Sequence, residues 1–384
     1  MRLGMRRLKR CQLRLLLTCF SALLVIGYWE NIDNAFVSHV MSFSYRYLVN
    51  SFSFINATLR VSPEDALKYS DRRYLINHEK KCLNEDVLLL LFVKSSSEHF
   101  DRRQAIRSTW GNETYIEAKL GIRIRVLFAL GLHPNPEHRR TLTTRLLFED
   151  QKYQDLIQQD FIDSFHNLTL KLLLQLAWKE TFCPYAQFLM SADDDVFVHV
   201  PNMIRYLQLY GRGDHKDLWV GRVHRGSPPI RDKYSKYYVS RDLYPWLAYP
   251  DYTPGSGYVL SRDVASRIYR ASLSLNASFH IDDVFLGICA KVAEVAPKNH
   301  MFFSGEGKAP QHHCIYEQMM TSHGHVNDIY DLWKDAELKS TETESTSPGL
   351  MWKIYCTIMK VRLLCLPLLS NTYPCKAAFV HQDL

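Results

Sequence analysis

Asp193, Asp194 and Asp195 stand in succession in FLMSADDDVFVH, Phe188 to His199, bracketed by the apolar runs Phe188-Leu189-Met190 and Val196-Phe197-Val198. Three like charges at the end of a buried strand repel one another. Oxygen-rich groups of this kind suit a hard divalent cation such as Mn²⁺ or Mg²⁺, which in turn neutralises a diphosphate. Side chains alternate across a strand, so Asp193 and Asp195 share a face while Asp194 points elsewhere. A solvated acidic loop has the same acid-x-acid pattern; the apolar brackets are what such a loop does not need. A second acidic pair, Asp282 and Asp283, opens the run DDVFLGICA. Asp282 as an N-cap, with Asp283 in the first turn, would only offset a helix dipole. The chemical reading makes one of the two a general base within reach of a substrate hydroxyl.

DRRQAIRSTWG, Asp101 to Gly111, carries Arg102, Arg103 and Arg107. Arginine at a strand-to-helix turn suits phosphate, although ordinary surface charge has the same appearance. Arg103 and Arg107 are i,i+4 neighbours on a helix, whereas Arg102 and Arg107 do not share one tight face. TSHGHV offers His323 and His325 as nitrogen ligands or as structural histidines, and spacing alone links neither to the aspartates.

These groups need a scaffold. DVLLLLFVK, Asp86 to Lys94, is a buried strand with a polar end, followed by a helical pattern in DRRQAIRSTW and a strand in Ile122 to Gly131. A helical pattern around Arg139 to Gln151, a strand in DFID, a helix from Leu168 to Thr181, the strand AQFLMSADDD and the helix PNMIRYLQLY follow, the last with Pro at its start. Strands alternating with helices predict an α/β sandwich with a mostly parallel sheet, whose ligands bind at the carboxyl ends of strands. The alternation stops near Asp335. Glu337 to Gly349 reads as a polar linker, and the apolar, lysine-bearing segment after it as a disulfide-tied cap or an amphipathic membrane-facing surface.

The net charge of +7 is concentrated at the N-terminus in Arg2, Arg6, Arg7, Lys9, Arg10 and Arg14, leaving the remainder near neutral. That distribution excludes a nucleic-acid binder, whose positive charge spreads over a folded surface. The uncharged run Leu15 to Trp29 is short of the ~20 residues of a spanning helix, but Gln12, Leu13 and a snorkelling Arg14 extend it. A cleaved signal peptide fits the length too, but GYWENID is a poor cleavage site, so the expectation is an uncleaved signal-anchor with a cytosolic N-terminus. The expected division is a tail at 1–14, an anchor at 15–29, a lumenal stem at 30–85, a catalytic domain at 86–334 and a linker with C-terminal segment at 335–384. Sequons at Asn56, Asn112, Asn167 and Asn276 agree with a lumenal placement. Seven of the nine cysteines lie beyond the anchor without a CxxC pair, so disulfides are expected rather than zinc, with at least one thiol left over.

The motifs RRQAIRSTW (102–110), FALG (128–131), FEDQKYQDLIQQDFIDSFHNLTLK (148–171), ADDDVF (192–197), YPDYTPGSGYVLS (249–261) and DDVFLG (282–287) resemble, in order, those of the inverting β-1,3-glycosyltransferases of the Golgi. The likeness runs from about Asp86 to Trp333. The stretches SYRYLVNS, GRVHRGSPPIRDKYSKYYVS, FFSGEGKAPQHHCIYE, MMTSHGH and TYPCKAAF resemble the branch that acts on lactosylceramide. The resemblance implies a GT-A fold, a type II anchor in the Golgi membrane, Mn²⁺ (or Mg²⁺), a UDP-GlcNAc donor and transfer in β-1,3 linkage to galactose of a glycolipid. It also implies Asp195 and His323 as metal ligands, and Asp193, Asp194, Arg102 and Arg107 on the donor side. Asp283 is the implied catalytic base with Asp282 as close second; the family usually has Glu-Asp-Val where this chain has Asp282-Asp283-Val284, a swap that keeps the carboxylate. Trp246, Tyr249 and Tyr252 are candidate sugar-stacking surfaces or core packing. A β-1,3-galactosyltransferase shares these motifs, and a non-catalytic lumenal lectin or chaperone would keep the fold.

Overall fold

The computed structural model describes residues 10–27, 59, 72–210, 216–305, 307–309, 313–316, 318–342 and 350–359. Outside the described residues lie most of the expected stem with Asn56, residues 343–349 of the expected linker, and 360–384 with Cys365 and Cys375.

The strands are β1 (Tyr74–Ile76), β2 (Leu89–Lys94), β3 (Ile124–Leu132), β4 (Leu156–Ile162), β5 (Phe188–Asp193), β6 (Val196–Val198), β7 (Trp219–Gly221), β8 (Tyr258–Ser261), β9 (Lys298–Asn299) and β10 (Thr321–His323). Every residue of β2 is buried. Its side chains alternate, so Leu89, Leu91 and Val93 enter one apolar cluster while Leu90 and Phe92 enter another. A strand apolar on both faces belongs at the centre of a sheet covered by helices on both sides. β2 pairs in parallel with β3 on one side and with β5 on the other, giving the order β1-β4-β3-β2-β5-β8-β7-β9. β3 and β4 are also parallel, whereas β1, β7 and β8 bring antiparallel pairings. Helices Leu168–Phe182, Arg262–Ser272 and Asp282–Val292 pack on the face of Leu90 and Phe92. Helices Phe100–Ser108, Glu113–Leu120 and Val200–Tyr210 cover the other. The architecture is therefore mixed α/β with a mostly parallel centre, as the alternation of segments predicts.

The chain leaves β2 in one direction toward β3 and returns on the opposite side at β5. Such a reversal opens a crevice at the carboxyl ends of two adjacent strands. Lys94 ends β2 and Asp193 ends β5, as direct register partners.

Two boundaries shift. The expected stem reaches residue 85, but Tyr74–Ile76 pairs with β4 at the edge of the sheet, and Cys82 is bonded to Cys183. The expected linker from Glu337 begins inside the helix Ile329–Glu342, because Glu, Leu and Lys are good helix formers whatever their polarity. Beyond it the helix Leu350–Met359 is tied by Cys356 to Cys314, in agreement with a disulfide-tied cap. Cys289 is the left-over buried thiol among the described residues after Cys82. The helix Arg10–Gly27 covers most of the expected anchor. Among the described residues, no helix is long and apolar enough to cross a membrane.

The Cys82–Cys183 bond joins residues 101 apart. Replacing both by alanine is expected to lower the unfolding free energy by about 2–5 kcal/mol, because the unfolded chain regains a long open loop. Denaturant titration of the two proteins under non-reducing conditions checks this; a loss below about 1 kcal/mol would contradict it.

Candidate active site

The register that pairs β2 with β5 sets the Lys94 ammonium 3.1 Å from Asp193 Oδ1. The same nitrogen donates to Asp282 Oδ2 at 2.8 Å, at the start of the helix Asp282–Val292. Lys94 is 7% exposed, so this is a buried charge with two carboxylate partners. Burial works against the ammonium, but Asp193 and Asp282 outweigh it and hold its pKa well above the ordinary lysine value. Gly255 makes the packing possible, since a Cβ there would stand 2.7 Å from Lys94 Nζ.

Asp195 follows in the turn between β5 and β6. β6 pairs antiparallel with β10, which places His323 opposite Val196. The Asp195 carbonyl accepts from the backbone N–H of Gly324 and of His325, both at 2.9 Å. The ribbon brings His323 Nε2 to 3.5 Å from Asp195 Oδ1. That oxygen is buried and accepts no hydrogen bond. An orphaned carboxylate oxygen beside an imidazole is a donor set that fits a divalent cation such as Mn²⁺. His325, the alternative histidine, is instead buried against Ser322 and Asp328.

Asp283 completes the cluster. It lines one pocket with Lys94, Asp193, Asp282 and His323. Burial pushes its carboxyl up to about 8, with Asp282 adding to the shift and Lys94 pulling the other way. Burial likewise raises Asp193 to about 6 against the pull of Lys94. Lys94 stays firmly charged while Asp193 is pushed toward its neutral form. The two shifts agree once the sharing is counted, because several carboxylates divide one ammonium between them. Such a site has negative charge in excess, which a cation can neutralise. The same pocket is lined by Phe165 and Tyr237, whose rings meet edge to face with centroids 5.0 Å apart.

The sequence model of the family described as Galactosyltransferase matches residues 101–301. The chain is 71% identical over 381 residues, 99% of both chains, to a lactosylceramide 1,3-N-acetyl-beta-D-glucosaminyltransferase B of Danio rerio. It is 55% identical to the lactosylceramide 1,3-N-acetyl-beta-D-glucosaminyltransferase of Homo sapiens over 98% of both chains, and 53% identical to that of Mus musculus over 97% and 98%. The chain belongs to the galactosyltransferase family.

In this galactosyltransferase-family chain, Asp193, Asp282, Asp283 and His323 line one pocket, and Asp195 lies beside His323. Several expectations need correction. Asp194 turns away from the pocket and accepts from Ser95 Oγ, His99 Nδ1 and Arg102 at 2.7, 2.7 and 2.8 Å. Burial opposes its ionisation, yet those donors hold its pKa below the usual carboxylate value. Its carboxylate is committed to fastening the aspartate turn onto the helix Phe100–Ser108 and to orienting Arg102. Arg107 does not reach the donor side. Its guanidinium is bidentate to Asp155 at 2.7 and 2.8 Å, pairs with Glu149 and lies over the rings of Phe128 and Tyr153. Tyr249 and Tyr252 are core residues, 1% and 0% exposed, and Trp246 packs edge-on against Tyr244 outside the pocket lining. Asp282 is not an N-cap; Ile281 holds that position, and Asp282 binds Lys94.

Among the sequons, Asn112 caps the helix Glu113–Leu120, Asn167 donates its amide to the Ile162 carbonyl, and Asn276 accepts from Ser278. Lys94, Gly255, Phe165 and Tyr237 were missed from sequence. The signal for Lys94 was present as a charge ending a wholly apolar strand, in the register position facing the first aspartate.

The Asp283 shift has a consequence for stability. A carboxylate whose folded pKa is raised favours the folded state below its unfolded pKa of about 4, and that contribution is lost as pH rises through about 8. Burial lowers His199 and His224 to about 4, so both are neutral in either state above pH 7.5 and add no slope there. The cation-free protein is therefore expected to lose stability from pH 7.5 upward through about pH 8, by up to about 1 kcal/mol per pH unit. Denaturation in EDTA should show this fall in the wild type and a flatter profile in Asp283→Asn; parallel profiles would contradict it.

Proposed function

We propose that the chain transfers GlcNAc from UDP-GlcNAc in β-1,3 linkage to the terminal galactose of lactosylceramide and related glycolipids, by a single inverting displacement on a GT-A fold. The observation that carries this reading is a pocket at the β2–β5 crevice in which Asp283, with its raised pKa, shares the lining with His323, itself 3.5 Å from the orphaned Asp195 oxygen. The relatives' printed names supply the acceptor and the transferred sugar.

Asp283 accepts the proton of the galactose 3-hydroxyl as its oxygen attacks the anomeric carbon. A base near neutrality suits that task better than an ordinary aspartate. Asp282 is engaged by Lys94 and so is not poised as a second nucleophile, which agrees with inversion rather than a covalent intermediate. Asp195 and His323 would hold Mn²⁺ or Mg²⁺, which when bound supplies positive charge to the leaving diphosphate. Asp193, which lines the pocket, is the donor-side carboxylate on this reading. Arg102, partly exposed and held by Asp194 outside the pocket lining, would add cationic charge only to a donor that extends past the aspartate turn. Phe165 and Tyr237 form the acceptor wall, offering aromatic faces to a sugar ring in place of Tyr249 and Tyr252. A signal-anchor in the Golgi membrane completes the reading; its support is the exposed apolar surface of Leu15, Leu16, Leu17 and Phe20 on the helix Arg10–Gly27, preceded by basic residues.

A donor panel with lactosylceramide as acceptor tests the reading. UDP-GlcNAc should be consumed, and consumption of UDP-galactose alone would overturn the donor assignment. Asp195→Ala is expected to lose metal-dependent UDP-GlcNAc binding by calorimetry. Asp283→Asn should bind donor normally and lose at least a hundredfold in kcat, as loss of a general base does. Full activity in either variant would refute the mechanism. Tyr237→Ala should raise the KM for lactosylceramide by about two- to tenfold, since an aromatic contact amounts to roughly 0.5–1.5 kcal/mol. The donor KM should be unchanged, and a matching rise in both would argue against an acceptor wall.

A further inference from the structure

HPNPEH, His133 to His138, lies between β3 and the helix Pro136–Tyr153, away from the acidic pocket. Two prolines restrict this turn. Asn135 caps the helix by accepting from the N–H of Glu137, and Pro136 opens it. Arg139 donates to the carbonyls of His133 and Pro134 at 2.7 and 3.2 Å, closing the turn on itself. The turn thus holds two imidazoles side by side, with ring centroids 5.3 Å apart. Glu98 faces them from the turn between β2 and the helix Phe100–Ser108, with Oε1 3.0 Å from His133 Nε2.

We propose that Glu98, His133 and His138 form a zinc site separate from the donor cation site. One ligand atom from each lies within 4.8 Å of the other two. Tetrahedral zinc with bonds of about 2.0–2.1 Å needs its ligands roughly 3.4 Å apart. Glu98 and His138 are exposed side chains, so rotation closes that gap without moving the backbone. His133 Nδ1 lies 3.1 Å from the Asn135 backbone N–H, which donates to it, and 3.2 Å from the Asn135 carbonyl. Zinc on Nε2 would select the tautomer in which Nδ1 donates to that carbonyl instead. Metal-binding histidines are usually fixed by such a bond from the second nitrogen. Two imidazoles and one carboxylate favour zinc over the harder cations suited to an oxygen-rich site, and leave a fourth position to water.

The site would fasten two turns that border the aspartate cluster. Ser97 donates to the Gly131 carbonyl on one side of Glu98, and His99 contacts Asp194 on the other. Zinc there would clamp the β2 turn to the β3 turn and so steady the Asp194 strut.

The test uses the full chain in detergent micelles, stripped with EDTA, carrying Asp195→Ala and His323→Ala to remove the donor cation site. Zinc titrated by calorimetry is expected to bind at one equivalent, and to raise the melting temperature. Adding His138→Ala should weaken zinc binding at least tenfold and abolish that rise. The side chain is exposed, so the metal-free melting temperature should not change. Cobalt in place of zinc should give the visible absorption of a four- or five-coordinate ion, lost in His138→Ala. Equal zinc affinity with and without His138, or no zinc bound once Asp195 and His323 are removed, would overturn the proposal.

Discussion

A single ammonium, Lys94 Nζ, is shared between the end of one strand and the start of one helix, and most of the site depends on it. It is 7% exposed and meets both Asp193, at 3.1 Å, and Asp282, at 2.8 Å. Removing one partner of a buried ion pair typically costs 3–5 kcal/mol, because the other charge is left uncompensated. That makes Lys94 a structural requirement. It also sets the chemistry, for it ties up Asp282 while moderating the shift of Asp283. Two adjacent carboxylates thereby become different in kind: one a bound anion, the other a raised-pKa group in the pocket. Gly255 belongs to the same constraint, since any side chain there would press on the ammonium.

The aspartate run divides its work by direction. Asp193 meets Lys94, Asp194 turns back to Ser95, His99 and Arg102, and Asp195 faces His323. Asp193 ends β5, and the turn formed by Asp194 and Asp195 before β6 sends the next two side chains in other directions. A second network lies behind it, where Arg103 and Arg107 converge on Glu149 and Arg107 continues to Asp155. Those arginines share a motif with Arg102 yet face the interior. Their charges anchor the helix Phe100–Ser108, so that Arg102 can be presented at its start.

Much of the framework was legible in the sequence. β2 is apolar without interruption, and such a strand can lie only in a covered sheet centre. The aspartate run, the Asp282-Asp283 pair and His323 were likewise visible as residue types. Their distances were not, because Asp195 and His323 meet through the β6–β10 ribbon, whose register joins residues more than a hundred positions apart. The same limit hid Lys94, which acquires meaning only when β2 and β5 are known to be neighbours. Arg107 was misread because an arginine for phosphate and an arginine for two buried carboxylates look alike until Glu149 and Asp155 are placed beside it. Aromatic residues misled most. Tyr249 and Tyr252 fill the core, whereas Phe165 and Tyr237, from other stretches of equally strong resemblance, reach the pocket; residue type and motif alone do not separate the two cases.

The site is assembled at some expense to the apo fold. Asp193, Asp282 and Asp283 line one pocket with a single lysine, and beside His323 the Asp195 oxygen lacks a hydrogen-bond donor. Part of the cost is offset by letting Asp283 keep its proton, which lowers the charge that must be buried. Occupation by a cation and a diphosphate would remove the same excess from the other direction. Anything bound only by the folded chain stabilises it in proportion to its occupancy. On the proposed reading, repulsion left unsatisfied among the carboxylates is what makes the pocket selective for a cation-bearing donor. A cation held by Asp195 and His323 would also lower the proton affinity of Asp283 and so would tie readiness of the base to arrival of that donor.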